Sequence, residues 1–190
     1  MIFVNGIIQR MFPGIFLDRD GVIIENRADY VRSLDDVSIF PQALDALVRI
    51  RDTPYKVIIV TNQSAIGRGL ISYESAQAIN SYLVSTIEDA GGRIDGLFMC
   101  PHTPEQGCNC RKPNPGLILD AAQFLSIDLQ QSLIVGDALS DILAGHSAGI
   151  PQLYLVRTGR GIDQLNLPQA SELPPFLIFD TLSDALGRLV

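Results

Sequence analysis

A doubly wound α/β fold, a mostly parallel sheet with helices on both faces, is what this sequence predicts, and three observations predict it. Short β-rich apolar runs recur along the 190 residues. Segments of helical pattern with recognisable start and stop signals separate them, and strands alternating with helices of this length imply βαβ crossovers. The residues that follow the strands are unusual in kind, and ligands of such sheets bind beyond the carboxyl ends of strands.

The strands are read at residues 14–17, 55–60, 96–99, 132–135, 152–156 and 176–179, as apolar runs of the length and composition of buried parallel strands. The first helix spans residues 41–52. The second spans 72–90, with Ser72 as N-cap and Gly91 just past its end. The third spans 115–125, with Asn114 as N-cap and Pro115 at the first helical position, and the fourth spans 140–148 before Gly149. Residues 159–175, rich in Gly, Pro and polar groups, read as a surface loop. After the first four strands come Asp18 and Asp20, Thr61 and Asn62, Cys100 and His102, and Gly136 and Asp137. The length suits a single domain spanning residues 1–190, with 1–13 as an N-terminal extension and Met11 as a candidate natural start.

The hydrophobic content of 47% and charged content of 18% are those of an ordinary globular protein. A net charge of −7 repels nucleic acid and anionic membrane, so any anionic ligand must meet a local basic patch. The opening residues carry no basic stretch ahead of an apolar core and no small-residue cleavage site, which argues against a signal peptide or anchor. No apolar run reaches the ~18 residues of a membrane span. Cys100, Cys108 and Cys110 are the only cysteines, and an odd, clustered set suits a metal site in a reducing compartment. A cytoplasmic monomer is the expectation.

Cys100-Pro101-His102, five residues, then Cys108-Asn109-Cys110 supply three thiolates and an imidazole, a complete tetrahedral set for zinc. Four protein ligands leave no open position, so the zinc is expected to be structural and to clip the loop at residues 100–110.

Phe16-Leu17-Asp18-Arg19-Asp20-Gly21-Val22, Val60-Thr61-Asn62, Lys112 before Pro113, and Val135-Gly136-Asp137 with Asp141 stand in that order. This series resembles the motifs of the haloacid dehalogenase superfamily. Any one of them has a bland reading, since Asp-Gly is a common turn and Thr-Asn a good cap. Four after successive strands do not. The resemblance implies a magnesium-dependent phosphatase in which Asp18 is the nucleophile and Asp20 the general acid and base. Asp18, the Asp20 backbone carbonyl and Asp137 would hold magnesium, with Asp141 orienting rather than ligating. Thr61, the Asn62 amide and Lys112 would hold the phosphoryl oxygens.

Thr61 to Gly69, reading Thr-Asn-Gln-Ser-Ala-Ile-Gly-Arg-Gly, and the cysteine loop running into Arg111-Lys112-Pro113 narrow the resemblance. They look like the group containing D,D-heptose 1,7-bisphosphate and histidinol phosphate phosphatases, over residues 14–157. That makes Asn62, Gln63, Ser64 and Arg111 substrate contacts, with Thr61 and Lys112 catalytic. The substrate would be a small phosphorylated metabolite, a sugar bisphosphate that loses its 7-phosphate, or alternatively histidinol phosphate. A receiver-type signalling module is the reading from another class, and Asp20, a resident general base, argues against it. No large cap fits between Asp20 and Thr61, so specificity falls to residues 25–30, residues 63–68 and the zinc loop. Arg19, Arg68, Arg111 and Lys112 form the expected basic patch. Two departures from the group stand out: Ala138 replaces a frequent Lys, and Ile24-Glu25-Asn26 places its Asn late. His146 reads as a solvated surface group.

Overall fold

The computed structural model describes residues 2–4 and 7–189, with side chains from residue 10 onward. In chain order the elements are β1 (Ile2–Val4), β2 (Ile7–Gln9), β3 (Phe12–Leu17), α1 (Pro41–Arg49), β4 (Lys56–Asn62), α2 (Ser64–Gly67), α3 (Tyr73–Asp89), β5 (Gly96–Cys100), α4 (Gly116–Leu125), β6 (Ile127–Gly136), α5 (Leu139–Ser147), β7 (Gln152–Val156), α6 (Gly161–Leu165), β8 (Leu177–Phe179) and α7 (Leu182–Leu186). β1 and β2 pair antiparallel as a small separate ribbon. The main sheet is six-stranded and parallel, in the order β5-β4-β3-β6-β7-β8.

Alternation along the strands explains why helices cover both faces. Ile15 and Leu17 of β3 join one core with Val57 and Ile59 of β4, Leu133 and Val135 of β6, and Tyr154 and Val156 of β7. Phe16, Ile58, Val60, Ile134, Leu153 and Leu155, the intervening residues, join a second core. The first core is closed by Ala46 and Leu47 of α1, Ile79 and Leu83 of α3, and Leu182 and Leu186 of α7. The second is closed by Leu117, Ile118 and Ala121 of α4 and Ile142 of α5. This is the doubly wound arrangement expected of strands apolar on both faces.

Ser72 caps α3 as expected, its Oγ accepting the Ser75 N–H at 3.0 Å, and Gly91 beyond the helix adopts φ +94°. Asn114 does not cap α4. The helix starts at Gly116, with Pro115 in the cap position, and the Asn114 side-chain amide donates to the Cys108 carbonyl at 2.8 Å. The segment at residues 159–175 is not an open loop: α6 and a 3-10 turn at Pro168–Glu172 fold it against the second core through Leu165, Ala170 and Leu173. β6 begins at Ile127, earlier than the apolar run suggests. Phe12 and Pro13 pair with Ile127 and Asp128, and after a register shift Ile15 pairs with Leu133. Between β3 and β4 lie a 3-10 turn at Leu34–Asp36 and α1, with no large cap. Among the described residues no helix is long and apolar enough to cross a membrane.

Candidate active site

β3 lies between β4 and β6, so the three strands deliver their polar end residues to one place. Asp18 leaves β3 only 5% exposed, its N–H donating to the Val135 carbonyl. Asp20 follows at a turn. Gly21 makes that turn possible: its φ is +86°, and a Cβ there would collide with the Asp137 carboxylate.

Lys112 arrives from the cysteine loop, 3% exposed. Its ammonium lies 2.8 Å from Asp18 Oδ1 and 2.6 Å from Asp141 Oδ1, and donates to the Val60 carbonyl at 2.7 Å. Two ion pairs and one hydrogen bond hold it in place. Burial opposes the charge, yet Asp141 and Asp18 together hold its pKa above the usual lysine value. The loop is pinned by a reciprocal pair. Asn62 Nδ2 donates to the Lys112 carbonyl at 3.0 Å, and the Lys112 N–H donates to Asn62 Oδ1 at 3.1 Å.

Asp137 follows β6 and is fully buried. Asp18, Asp137 and Asp141 present carboxylate oxygens that all lie within 4.8 Å of one another. Burial, with the charges of Asp141 and Asp20 adding to it, pushes the Asp18 carboxyl up to about 6 despite Lys112. Burial and the Asp18 charge raise Asp137 as well, against Arg160. Crowded, desolvated carboxylates with raised pKa values are the environment that a divalent cation relieves, and an all-oxygen donor set fits magnesium. Asp141 already serves two other partners, Lys112 through Oδ1 and the Ala138 N–H through Oδ2 at 3.0 Å.

The Asp18 pKa carries a testable sign. A folded-state pKa of about 6 against an ordinary 3.8 means that ionising Asp18 costs the metal-free fold stability as pH rises through that window. Magnesium requires the ionised carboxylate. The rise in Tm that magnesium produces is therefore expected to grow between roughly pH 5 and roughly pH 7. Thermal melts with and without magnesium across that range measure it, and a magnesium effect independent of pH would remove Asp18 from the metal site.

Thr61 and Gln63 are buried beside Asp20: Gln63 Nε2 donates to Asp20 Oδ2 at 2.9 Å and to Thr61 Oγ1 at 2.8 Å. Arg111 Nη1 donates to Ser64 Oγ at 2.7 Å and to the His102 carbonyl at 3.1 Å, which ties the cysteine loop to the start of α2. A cavity of about 390 Å³ opens over these groups. Asp18, Asp20, Asn62, Gln63, Ser64, Arg111 and Lys112 line it, joined by Asn26, Arg27 and Tyr30 from the loop after β3 and by Arg68. Thr61 and Asp137 stand behind the lining.

The other predicted cluster also assembles. Cys100, His102, Cys108 and Cys110 bring their Sγ and ring nitrogen atoms within 4.8 Å of one another. Cys110 Sγ lies 3.2 Å from Cys100 Sγ, 3.3 Å from Cys108 Sγ and 3.4 Å from His102 Nδ1. Such a closed set of thiols and one imidazole fits a tetrahedral zinc.

Two arginines were misplaced or missed by sequence reasoning. Arg19, expected in the basic patch, is 1% exposed and turned inward to Asp20, so it cannot meet a substrate anion directly. Arg160, assigned to a loop, grips Asp137 through its backbone N–H at 2.8 Å, Nε at 3.3 Å and Nη2 at 3.0 Å. The available signal was its place just beyond the β7 carboxyl end. His146 is exposed, as expected.

A family model described as HAD-hydrolase-like matches residues 109–185. The D-glycero-beta-D-manno-heptose-1,7-bisphosphate 7-phosphatase of Photorhabdus laumondii is 35% identical over 179 residues, 90% of this chain and 92% of that protein. The same organism's D-glycero-alpha-D-manno-heptose-1,7-bisphosphate 7-phosphatase is 40% identical over 151 residues, 76% and 82% of the two chains. The crystal structure of D,D-heptose 1,7-bisphosphate phosphatase from B. bronchiseptica, complexed with magnesium and phosphate, superposes with a TM-score of 0.86 at 35% identity, covering 93% of this chain and 97% of that one. By these full-length likenesses the chain belongs to the heptose-1,7-bisphosphate 7-phosphatase family of haloacid dehalogenase-like hydrolases.

Proposed function

We propose that the chain is a magnesium-dependent phosphomonoesterase that removes the 7-phosphate of D-glycero-D-manno-heptose 1,7-bisphosphate through a phosphoaspartate on Asp18. The observation that carries this reading is the convergence of Asp18, Asp20, Lys112, Asp137 and Asp141 at the ends of β3, β4 and β6 within one family frame.

Asp18 attacks phosphorus, and the bond from phosphorus to the sugar oxygen breaks as Asp20 gives that oxygen its proton. Water then attacks the phosphoaspartate, Asp20 takes the water's proton, and Asp18 is released. Lys112, Thr61 and the Asn62 amide hold the phosphoryl oxygens whose charge must be stabilised in each transition state. Magnesium, held by Asp18, the Asp20 carbonyl and Asp137, supplies charge neutralisation at the same oxygens when bound. The whole of residues 1–190 works as one cytoplasmic, monomeric domain in this reading.

Arg111, with Arg68 near it on the cavity wall, supports recognition of the phosphate that is not cleaved, with Ser64, Gln63 and Asn62 shaping the floor. The test compares kcat/KM for both anomers of the heptose bisphosphate, the 7-phosphate and histidinol phosphate in wild type and Arg111→Ala. The bisphosphate is expected to win in wild type, and Arg111→Ala to lose on the order of 10- to 100-fold on it alone, the worth of a charged hydrogen bond. Preference for the monophosphate or histidinol phosphate, or an equal loss on all substrates, would refute the assignment.

Zinc in the Cys100, His102, Cys108 and Cys110 site holds the loop that carries Arg111 and Lys112. Purified protein is expected to carry about one zinc per chain by elemental analysis, as a closed four-ligand site does. Cys108→Ser should release zinc and raise KM while the sheet stays folded, since the first core lies wholly outside the loop and the second meets it only through Cys100, Cys108 and Cys110. A metal-free protein with full activity and stability would remove zinc from the account.

A further inference from the structure

The largest fully buried side chain in the described structure is a cation, Arg19, one residue from the nucleophile. Burying a guanidinium is costly unless it is paired and hydrogen-bonded. Its pairing is specific. Nε donates to Asp20 Oδ2 at 3.0 Å and Nη2 to Asp20 Oδ1 at 3.0 Å, a two-pronged grip that fixes the carboxylate plane. The remaining terminal nitrogen, Nη1, donates at 2.7 Å to Oδ1 of Asn80.

Asn80 is itself out of place by composition. It sits in the middle of α3 at 5% exposure, on the face that otherwise buries Ala76, Ile79, Leu83 and Ile87. A buried amide in an apolar helix face needs partners. Asn80 has Arg19 on its oxygen and Met99 Sδ at 3.4 Å on its nitrogen. The amide is thereby locked with its oxygen toward Arg19.

We infer that Asn80 and Arg19 are positioning residues: Asn80 holds the guanidinium, and the guanidinium holds the Asp20 carboxylate where it can exchange a proton with the leaving oxygen and then with water. This rests on the reading of Asp20 as general acid and base given above. The hydrogen-bond inventory leaves room for that work. Asp20 Oδ2 accepts from Arg19, Gln63 and, at 3.5 Å, Thr61, whereas Oδ1 accepts from Arg19 and keeps a second lone pair. Asp20 lines the cavity. Neither Asn80 nor Arg19 appears in that lining, so both act through Asp20 and neither touches substrate.

A leaving-group comparison separates positioning from a merely structural pairing. p-Nitrophenolate departs without a proton, a sugar alkoxide does not, and attack by water on the phosphoaspartate needs the base with either substrate. Asn80→Leu, which fills the site but offers no acceptor, is expected to form the phosphoenzyme from p-nitrophenyl phosphate within about threefold of wild type. Steady-state turnover then falls about tenfold or more, part of the ~10²–10⁴ that a positioned acid and base supply, and a burst of p-nitrophenolate precedes it. With heptose bisphosphate the first turnover itself should slow by a similar factor at little change in KM. Asn80→Asp keeps an oxygen for Nη1 and is expected to restore turnover toward wild type.

Equal loss in burst and steady state, no loss in either, or Asn80→Asp as slow as Asn80→Leu would overturn the inference. Should Asn80→Leu fail to fold, Asn80→Ser, smaller and with its oxygen withdrawn from Nη1, reads the same ratio. A wild type that turns over normally beside an unaffected variant defeats the positioning role alone. A wild type inactive on both esters defeats the phosphatase reading with it.

Discussion

Asp18→Asn is expected to lower phosphate release by about 10⁴-fold or more, the scale seen when a covalent nucleophile is removed, while the protein keeps its fold. The change is isosteric and takes a charge out of a site where burial already disfavours it, as the raised Asp18 pKa of about 6 records. Lys112 keeps Asp141 and the Val60 carbonyl as partners. Circular dichroism and a thermal melt close to wild type, beside lost turnover, is the result expected. Turnover within tenfold of wild type would exclude Asp18 as the nucleophile.

Lys112→Met is expected to strike stability and activity together. The ammonium is the cation that Asp18 and Asp141 share, and both carboxylates are nearly inaccessible to water. Removing one partner from a buried pair leaves an uncompensated charge, at a cost of about 3–5 kcal/mol in the metal-free protein. Magnesium should return part of that stability, through Asp18 and not Asp141. Activity should fall on the order of 10²–10³-fold, the worth of a charge aimed at a developing oxyanion. Urea unfolding with and without magnesium, alongside kinetics, measures both effects. A stable, active Lys112→Met protein would contradict the role assigned to the lysine.

The fold was legible because strands buried on both faces must be apolar throughout, and runs such as Val57-Ile58-Ile59-Val60 are. The site was legible for a local reason: Asp18 and Asp20, Thr61 to Ser64, and Asp137 each lie within a few residues of a strand's carboxyl end. What sequence reasoning misjudged depends on long-range partners. Arg19 looks like any basic residue until Asn80, 61 positions away, buries it. Asn114 has the composition of a cap, but its side chain is tied to the Cys108 carbonyl six positions back. Arg160 is one basic residue in a Gly-rich stretch until β7 carries it to Asp137. The β6 extension through Asp128 to Ser132 has no apolar signature, since Gln130 and Gln131 face solvent and pairing with Phe12 and Pro13 starts the strand.

The proposal stands or falls on the covalent step at Asp18. Acid quenching of the wild type and of Asp20→Asn during turnover of p-nitrophenyl phosphate with magnesium, whose leaving group needs no proton, followed by peptide mass spectrometry, observes that step directly. A phosphate adduct on the peptide carrying Asp18, more abundant in Asp20→Asn because attack by water then lacks its base, is the result predicted. Continued phosphate release with the adduct absent from Asp18, or carried by a different residue, would contradict it.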